Sequence, residues 1–191
     1  MPGLSPLRRL GAALALAATL SFAPAAHATV VIESPRAELV DRSQLIVRAT
    51  VSGATSRWNE DGSQIITLTT LRVTEYVKGS GPSTLTLRQL GGQVGDVASR
   101  VAGDARFEGG QEVFLFLRQG EGVVYLTALA QAAYFVQRQG GEVMVARDLH
   151  GLTFARMASG ERMEIVPPPN DPAETLTHLR DDVRRLAGGA R

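Results

Sequence analysis

The chain contains no cysteine, and only one of its 20 basic residues is a lysine, Lys78. Without cysteine there is no disulfide, no thiolate metal site, no thiol nucleophile and no lipid attached through a thioether. The 20 basic and 19 acidic side chains nearly cancel, and no basic run occurs. The charge pattern therefore favours neither nucleic acid nor an anionic membrane as a partner.

Signatures of catalysis and of metal binding are also missing. His150 and His178 lie on different predicted elements, and no serine stands in a Gly-x-Ser-x-Gly motif. The turn at 59–62 is too short for an EF-hand loop, and no GKS or GKT follows the glycines at 91–95. We expect no metal, no cofactor and no enzymatic activity. An enzyme with an unrecognised carboxylate site stays an alternative, because carboxylates can meet through the fold.

The amino-terminal 28 residues have the pattern of a secretory signal peptide. Arg8 and Arg9 precede an apolar run at 10–23, and Ala26-His27-Ala28 then places small residues before Thr29. The run of 14 residues is shorter than the roughly 20 residues that a spanning helix needs. We predict cleavage between Ala28 and Thr29. A retained anchor, a buried helix and the twin-arginine route are the alternatives.

The mature chain predicted by this cleavage is one ordinary domain of 163 residues, with 18 basic and 19 acidic side chains. No later segment is long and apolar enough to cross a membrane. We therefore expect a monomeric protein of the periplasm or the extracellular space, without a membrane anchor after cleavage.

Alternating apolar residues and turn signals predict eight or nine short strands. A long strand at 63–78 changes its apolar phase, which predicts an extra residue, a β-bulge, near Thr69-Thr70. The segment 112–118 is apolar on both faces and should be a central strand. Tight turns between neighbours favour an antiparallel barrel. The other predicted strands are 44–52, 84–89, 123–129, 133–138, 142–147, 152–156 and 162–166.

Two helices are expected beside the strands. Ser34 and Pro35 resemble the start of a short helix that ends near Ser43. After the prolines at 167–169, Asp171 is a candidate N-cap for a last helix with one apolar stripe. The predicted organisation is a β-barrel domain at 29–166, followed at 167–191 by a proline-rich spacer and a helix packed on the barrel.

A glycine-rich stretch at 90–110 has little periodicity and is the candidate binding surface. A loop of about 20 residues is long for a compact domain, and such loops are often functional. Trp58 beside Arg57 at a turn is a second candidate contact, although packing onto the barrel end explains it equally well. The candidate binding residues are Arg57, Trp58, Gly91, Gly92, Gln93, Asp96, Arg100 and Arg106.

The order of motifs resembles the netrin-like modules, which include the amino-terminal domain of the tissue inhibitors of metalloproteinases. The motifs are SQLIVRATVSG, LRVTEYVKG, TLTLRQ and FEGGQEVFLFLRQGEGVVYLTALAQ, covering roughly 41–131. They are also similar to a group of exported bacterial proteins of unassigned activity. The resemblance implies a mainly β fold, an OB-like barrel with extra hairpins, a short amino-terminal helix and a carboxy-terminal helix.

The inhibitory mechanism of those proteins does not transfer, because it uses a first-residue cysteine where this chain has Thr29. The sequence thus favours a non-enzymatic exported binding module of unknown ligand, whose partner is an exported protein such as a protease. Inhibition of a secreted metalloprotease is the alternative, and the carboxylate enzyme is the third reading.

Export predicts a specific amino terminus. We expect protein recovered outside the cytoplasm to begin at Thr29, because signal peptidase selects the small residues Ala26 and Ala28. Ala28→Arg should block cleavage, whereas His27→Arg changes the tolerant position between them and should be processed normally. Amino-terminal sequencing and intact mass measure the result. Exported wild-type protein that retains residues 1–28 would contradict the prediction.

Overall fold

A computed structural model describes residues 29–158 and 162–189. The proposed signal peptide at 1–28, including Ala28, lies outside the described residues, and Thr29 is the first residue of the first strand. Within these two ranges, no helix has the length and apolar character needed to span a membrane.

Twelve strands and two helices make up the described chain. In chain order they are β1 (Thr29–Ile32), α1 (Arg36–Arg42), β2 (Leu45–Trp58), β3 (Ile65–Lys78), β4 (Thr84–Val94), β5 (Val97–Arg100), β6 (Glu112–Gln119), β7 (Val124–Leu126), β8 (Ala133–Gln139), β9 (Glu142–Arg147), β10 (Leu152–Ala158), β11 (Arg162–Val166), β12 (Glu174–Thr175) and α2 (Leu176–Gly188).

Five of these strands close into a barrel. β2, β3 and β4 form an antiparallel meander, and β6 pairs with the other edge of β2. The short strand β7 then joins the ends, antiparallel to β6 and parallel to β4 through Leu87 opposite Val124. This closure and the 54% strand content confirm the predicted mainly β, OB-like fold with two helices.

The core fills the barrel with the alternating inward side chains of its strands. β6 is buried on both faces from Val113 to Leu117, and it pairs with β2 along one edge and with β8 along the other. The structure thus confirms the predicted central strand. Phe114 and Phe116 are its largest side chains, and both are completely buried.

The predicted bulge near Thr69-Thr70 is wrong. Thr69 is buried on the same face as Leu71, and the extra residue at this point is Ser52 on the partner strand β2, where Val51 pairs with Leu71 and Gly53 with Thr70. The extra residues of β3 itself are Thr74 and Val77, closer to its end. The apparent change of phase had another cause. Polar threonines occupy the inward positions of β3 at this end of the barrel, so apolar character alone does not mark the inward face.

The stretch at 90–110 is only partly a loop, which corrects the expectation of one long loop. β4 continues to Val94, turns through Gly95 and Asp96, and returns as β5. The irregular segment is therefore 101–111. Five glycines of the stretch 90–110 have positive φ angles, including Gly95 at 58°, and such residues carry no side-chain periodicity.

A second, three-stranded sheet has the order β1-β10-β11. β1 runs parallel to β10, with Thr29 opposite Leu152. The sequence analysis did not predict β1, since its partner lies more than 100 residues away. β8 and β9 form the predicted hairpin, and β10 and β11 confirm the last two predicted strands.

The last helix begins later than predicted, at Leu176. Thr175 Oγ1 accepts a hydrogen bond from the His178 amide at 3.2 Å and caps the helix. Asp171 is not the cap, because the chain after it stays extended as β12 beside β9. The Asp171 carboxylate instead accepts a 2.7 Å hydrogen bond from Arg147 Nε. The predicted apolar stripe of this helix is confirmed, because Leu176, Leu179 and Val183 are buried.

Ser34 is likewise not a helix cap. Its backbone amide donates to Gln131 Oε1 at 2.9 Å, and α1 begins at Arg36 without a side-chain cap. α1 instead gains its partners from α2 and β12, because Arg36 donates to Asp182 Oδ2 at 2.8 Å and to Glu174. Burial lowers the pKa of Arg36, but its interactions with Asp182, Tyr134 and Glu174 together outweigh burial and raise the pKa above its ordinary value.

Two leucines on β4 test the barrel core. Leu87 is completely buried at the closing pair, whereas Leu90 is 50% exposed on the same strand. We expect Leu87→Ala to lower the free energy of unfolding by about 2–5 kcal/mol, because it leaves a cavity. Leu90→Ala, the matched control, should change it by less than about 0.5 kcal/mol. Urea unfolding measures both, and equal losses would contradict the described packing.

Candidate functional site

The open end of the barrel forms a groove, because its inward side chains change from apolar to polar along three strands. Pairing places them in successive rows across β2, β3 and β4. The rows are Val51, Leu71 and Leu85, then Ala54, Thr69 and Leu87, and finally Ser56, Thr67 and Gln89. The shorter polar side chains leave space, and an open groove of about 470 Å³ lies over the outer rows.

The segment 101–108 lines this groove and is held at two points, Ala102 and Ala105. Gln89 Nε2 donates to the Ala105 carbonyl at 2.8 Å, and Ala105 is buried in the core. Thr29 Oγ1 donates to the Ala102 carbonyl at 2.6 Å. The groove therefore has a floor of strands and a covering segment held by hydrogen bonds.

Gly91 and Gly92 allow β4 to continue beneath this segment. Their φ angles are 91° and 130°, which residues with a side chain rarely adopt. A Cβ on Gly92 would collide with the hydroxyls of Ser56 and Thr67. Those hydroxyls are 2.9 Å apart, and Thr67 Oγ1 donates to the Gly91 carbonyl at 2.7 Å. The two glycines thus keep the hydroxyls of the groove close to the backbone.

Asp104 is the partly buried carboxylate of the groove. Burial raises the pKa of its carboxyl, although hydrogen bonds from Gln89 and from the Ala105 amide, at 2.9 Å, oppose the rise. Arg100 and Arg106 also line the groove and are exposed. The groove therefore offers hydroxyl, amide, carboxyl and guanidinium groups together.

The structure brings together five of the eight predicted binding residues. Asp96 lies nearby on the exposed turn between β4 and β5. Arg57 and Trp58 end β2 outside the groove lining, and Trp58 is 39% exposed. The five that line the groove are Gly91, Gly92, Gln93, Arg100 and Arg106.

The sequence analysis missed the floor of the groove. Thr67, Thr69 and Gln89 line it, and Ser56 bonds to Thr67. The sequence did carry a signal for the two threonines, because they occupy every second position of β3 counted back from Leu71. The prediction assigned that phase change to a bulge and therefore placed the threonines incorrectly.

The groove has the chemistry of a binding site. Its described lining contains no histidine, and within 29–158 and 162–189 no three His, Asp or Glu side chains form a cluster suited to a metal ion. His150 lies elsewhere, with Nδ1 2.6 Å from Asp148 Oδ1. The polar groups of the groove can donate and accept hydrogen bonds to a ligand.

Comparison with known proteins adds no family. The chain matches no protein-family model, and a search of curated proteins gives no significant match.

The Asp104 carboxyl predicts a pH dependence of stability. The pKa of Asp104 is higher in the folded chain than in the unfolded chain, so the folded chain holds the proton more tightly. The free energy of unfolding therefore falls as the pH rises from the ordinary aspartate pKa through the raised pKa. We expect Asp104→Asn to unfold at higher urea concentration than the wild type at pH 7, with the gain disappearing at about pH 3.

Asp96→Asn is the matched control for this prediction, because it removes an equal charge from an exposed turn. Asp96→Asn should leave the urea concentration at the midpoint of unfolding nearly unchanged at both pH values. A loss of stability in Asp104→Asn at pH 7 that is absent at low pH would contradict the assigned direction.

Proposed function

We propose that the chain is a non-enzymatic exported binding module and that the barrel-mouth groove is its binding surface. One observation supports this most strongly. Three successive rows of inward side chains change from apolar to polar toward the open end of the barrel, and a segment bonded to Gln89 lines the resulting space.

The groove contains groups that lower stability, which also supports a functional reading. Thr69 is 1% exposed at a position where an apolar residue would pack, and burial raises the pKa of Asp104. Proteins keep such local conflicts mainly at functional sites. The exposed guanidinium groups of Arg100 and Arg106 supply charge at the entrance.

Export is the second part of the proposal. The predicted cleavage site immediately precedes Thr29, the first residue of β1. Cleavage would leave all twelve described strands intact. The near-neutral mature chain and the signal pattern support action in the periplasm or outside the cell, on a partner that is itself exported.

Inhibition of a secreted metalloprotease is the alternative. It is supported by the OB-like barrel, the fold that the netrin-like resemblance implies. It is also supported by Thr29, the predicted first residue, which bonds directly to the segment that covers the groove. The binding surface and the new amino terminus would then face one partner together.

The capture of exported partners tests the proposal. We expect purified mature protein to retain a specific partner from the periplasm or culture supernatant of the organism that encodes it. The double variant Arg100→Ala, Arg106→Ala should lose this partner with unchanged thermal unfolding, because both exposed side chains line the groove. Arg72→Ala, Arg118→Ala removes two exposed charges outside its lining and should bind normally.

Either of two results would contradict this proposal. In the first, the wild type retains no partner. In the second, the groove variant retains the partner in the same amount as the control variant. A separate assay tests the alternative function, in which the mature protein is mixed with secreted metalloproteases at equal concentration. The alternative requires that the wild type inhibits a protease and that the groove variant does not.

A further inference from the structure

β5 ends its sheet at the rim of the groove. Among the described residues it pairs only with β4, and all four of its side chains are exposed. Val97 exposes half of its surface, and the strand contains no proline. A strand with one unpaired side presents backbone amides and carbonyls to another chain.

The hairpin geometry shows which backbone groups point outward. Val94 pairs with Val97 across the two-residue turn, and the positive φ of Gly95 fits the first central position of a type II′ turn. The amide of Val97 then faces β4, and backbone direction alternates along an antiparallel strand. The amides and carbonyls of Ala98 and Arg100 therefore face away from β4, at the free edge.

Those two residues also connect the edge to the groove. Ala98 is the cross-strand partner of Gln93, and Arg100 is the partner of Gly91. All four residues line the groove. A strand added beside β5 would extend the groove floor by one strand. Every second side chain of the added strand would then point into the groove.

The charge of this edge indicates the side chain that fits there. The groove lining carries two carboxylates, Asp104 and Glu108, beside the exposed Arg100 and Arg106, but the one charged side chain of β5 itself is Arg100. A guanidinium group binds a carboxylate through two parallel hydrogen bonds. A saccharide has no regular series of amides and carbonyls to match the edge, whereas an extended peptide does.

We propose that the ligand of the groove is an extended peptide segment that adds to β5 as a further strand, with an acidic side chain directed to Arg100. This inference rests on the proposed binding function and names the class of ligand. Affinity comes from backbone hydrogen bonds to Ala98 and Arg100, and selectivity comes from the groove.

A random library of 12-residue peptides displayed on phage provides the probe, with the mature protein immobilised. We expect acidic peptides to be enriched and to bind the purified protein. Ala98→Pro should weaken their binding at least about tenfold, because it removes an outward amide without removing a β4–β5 bond. Ala98→Ser, the matched comparison, keeps that amide and should weaken binding at least about fivefold less than Ala98→Pro does.

Peptides methylated on alternate backbone nitrogens provide a second readout with unmodified protein. One of the two methylation patterns should abolish binding and the other should preserve it, because a strand pairs through every second residue. This arm keeps the proposal testable even if the proline variant distorts β5.

Three results would overturn the inference. The library would yield no binder, both methylation patterns would bind equally, or a glycan array would show groove-dependent binding of a saccharide in place of a peptide. If an exported partner is still captured through Arg100 and Arg106, the binding function stands and only the peptide-strand inference fails. If no partner is captured either, both fail.

Discussion

The parallel pairing of β4 with β7 is the constraint on which the rest of the structure depends. Leu87 opposite Val124 closes the barrel, and the rows on one side of this pair are apolar and completely enclosed. On the other side β2, β3 and β4 continue without a closing partner, and their inward positions become Ser56, Thr67 and Gln89. Closure at a single pair thus separates a packed core from an open mouth, so the strands that stabilise the barrel also form the floor of the groove.

The two helices stabilise the scaffold away from this mouth. Arg36 on α1 bonds to Asp182 and Glu174, which fixes α2 against α1. Next to this contact Arg147 lies 5.2 Å from the centre of the Tyr134 ring and bonds to Asp171, while burial raises the pKa of the tyrosine hydroxyl. These ion pairs are partly buried, where loss of one partner costs more than loss of a surface pair. A groove whose floor belongs to a fixed barrel needs little ordering when a ligand binds.

Sequence patterns predicted the elements whose side chains alternate against one core. β6, the β8–β9 hairpin and the apolar stripe of α2 are examples, because each signal is local. The bulge and the cap at Asp171 were wrong for a common reason: the deciding partner was remote. Thr69 faces inward because it pairs with Ala54 and Leu87 in the barrel wall, and the chain near Asp171 is extended because β12 pairs with β9. The glycines of the groove were found from composition, whereas its floor of threonines required knowledge of strand pairing.

The central proposal is that the protein is exported and that its barrel mouth contacts a partner in the compartment it reaches. Site-specific photocrosslinking in the exporting cells measures this directly, with p-benzoylphenylalanine placed at Gln93 in the groove or at Arg72 on the exposed outer face of β3. The account predicts one discrete crosslinked species from position 93 and none from position 72. Crosslinks of equal yield from both positions, or from position 72 alone, would contradict it.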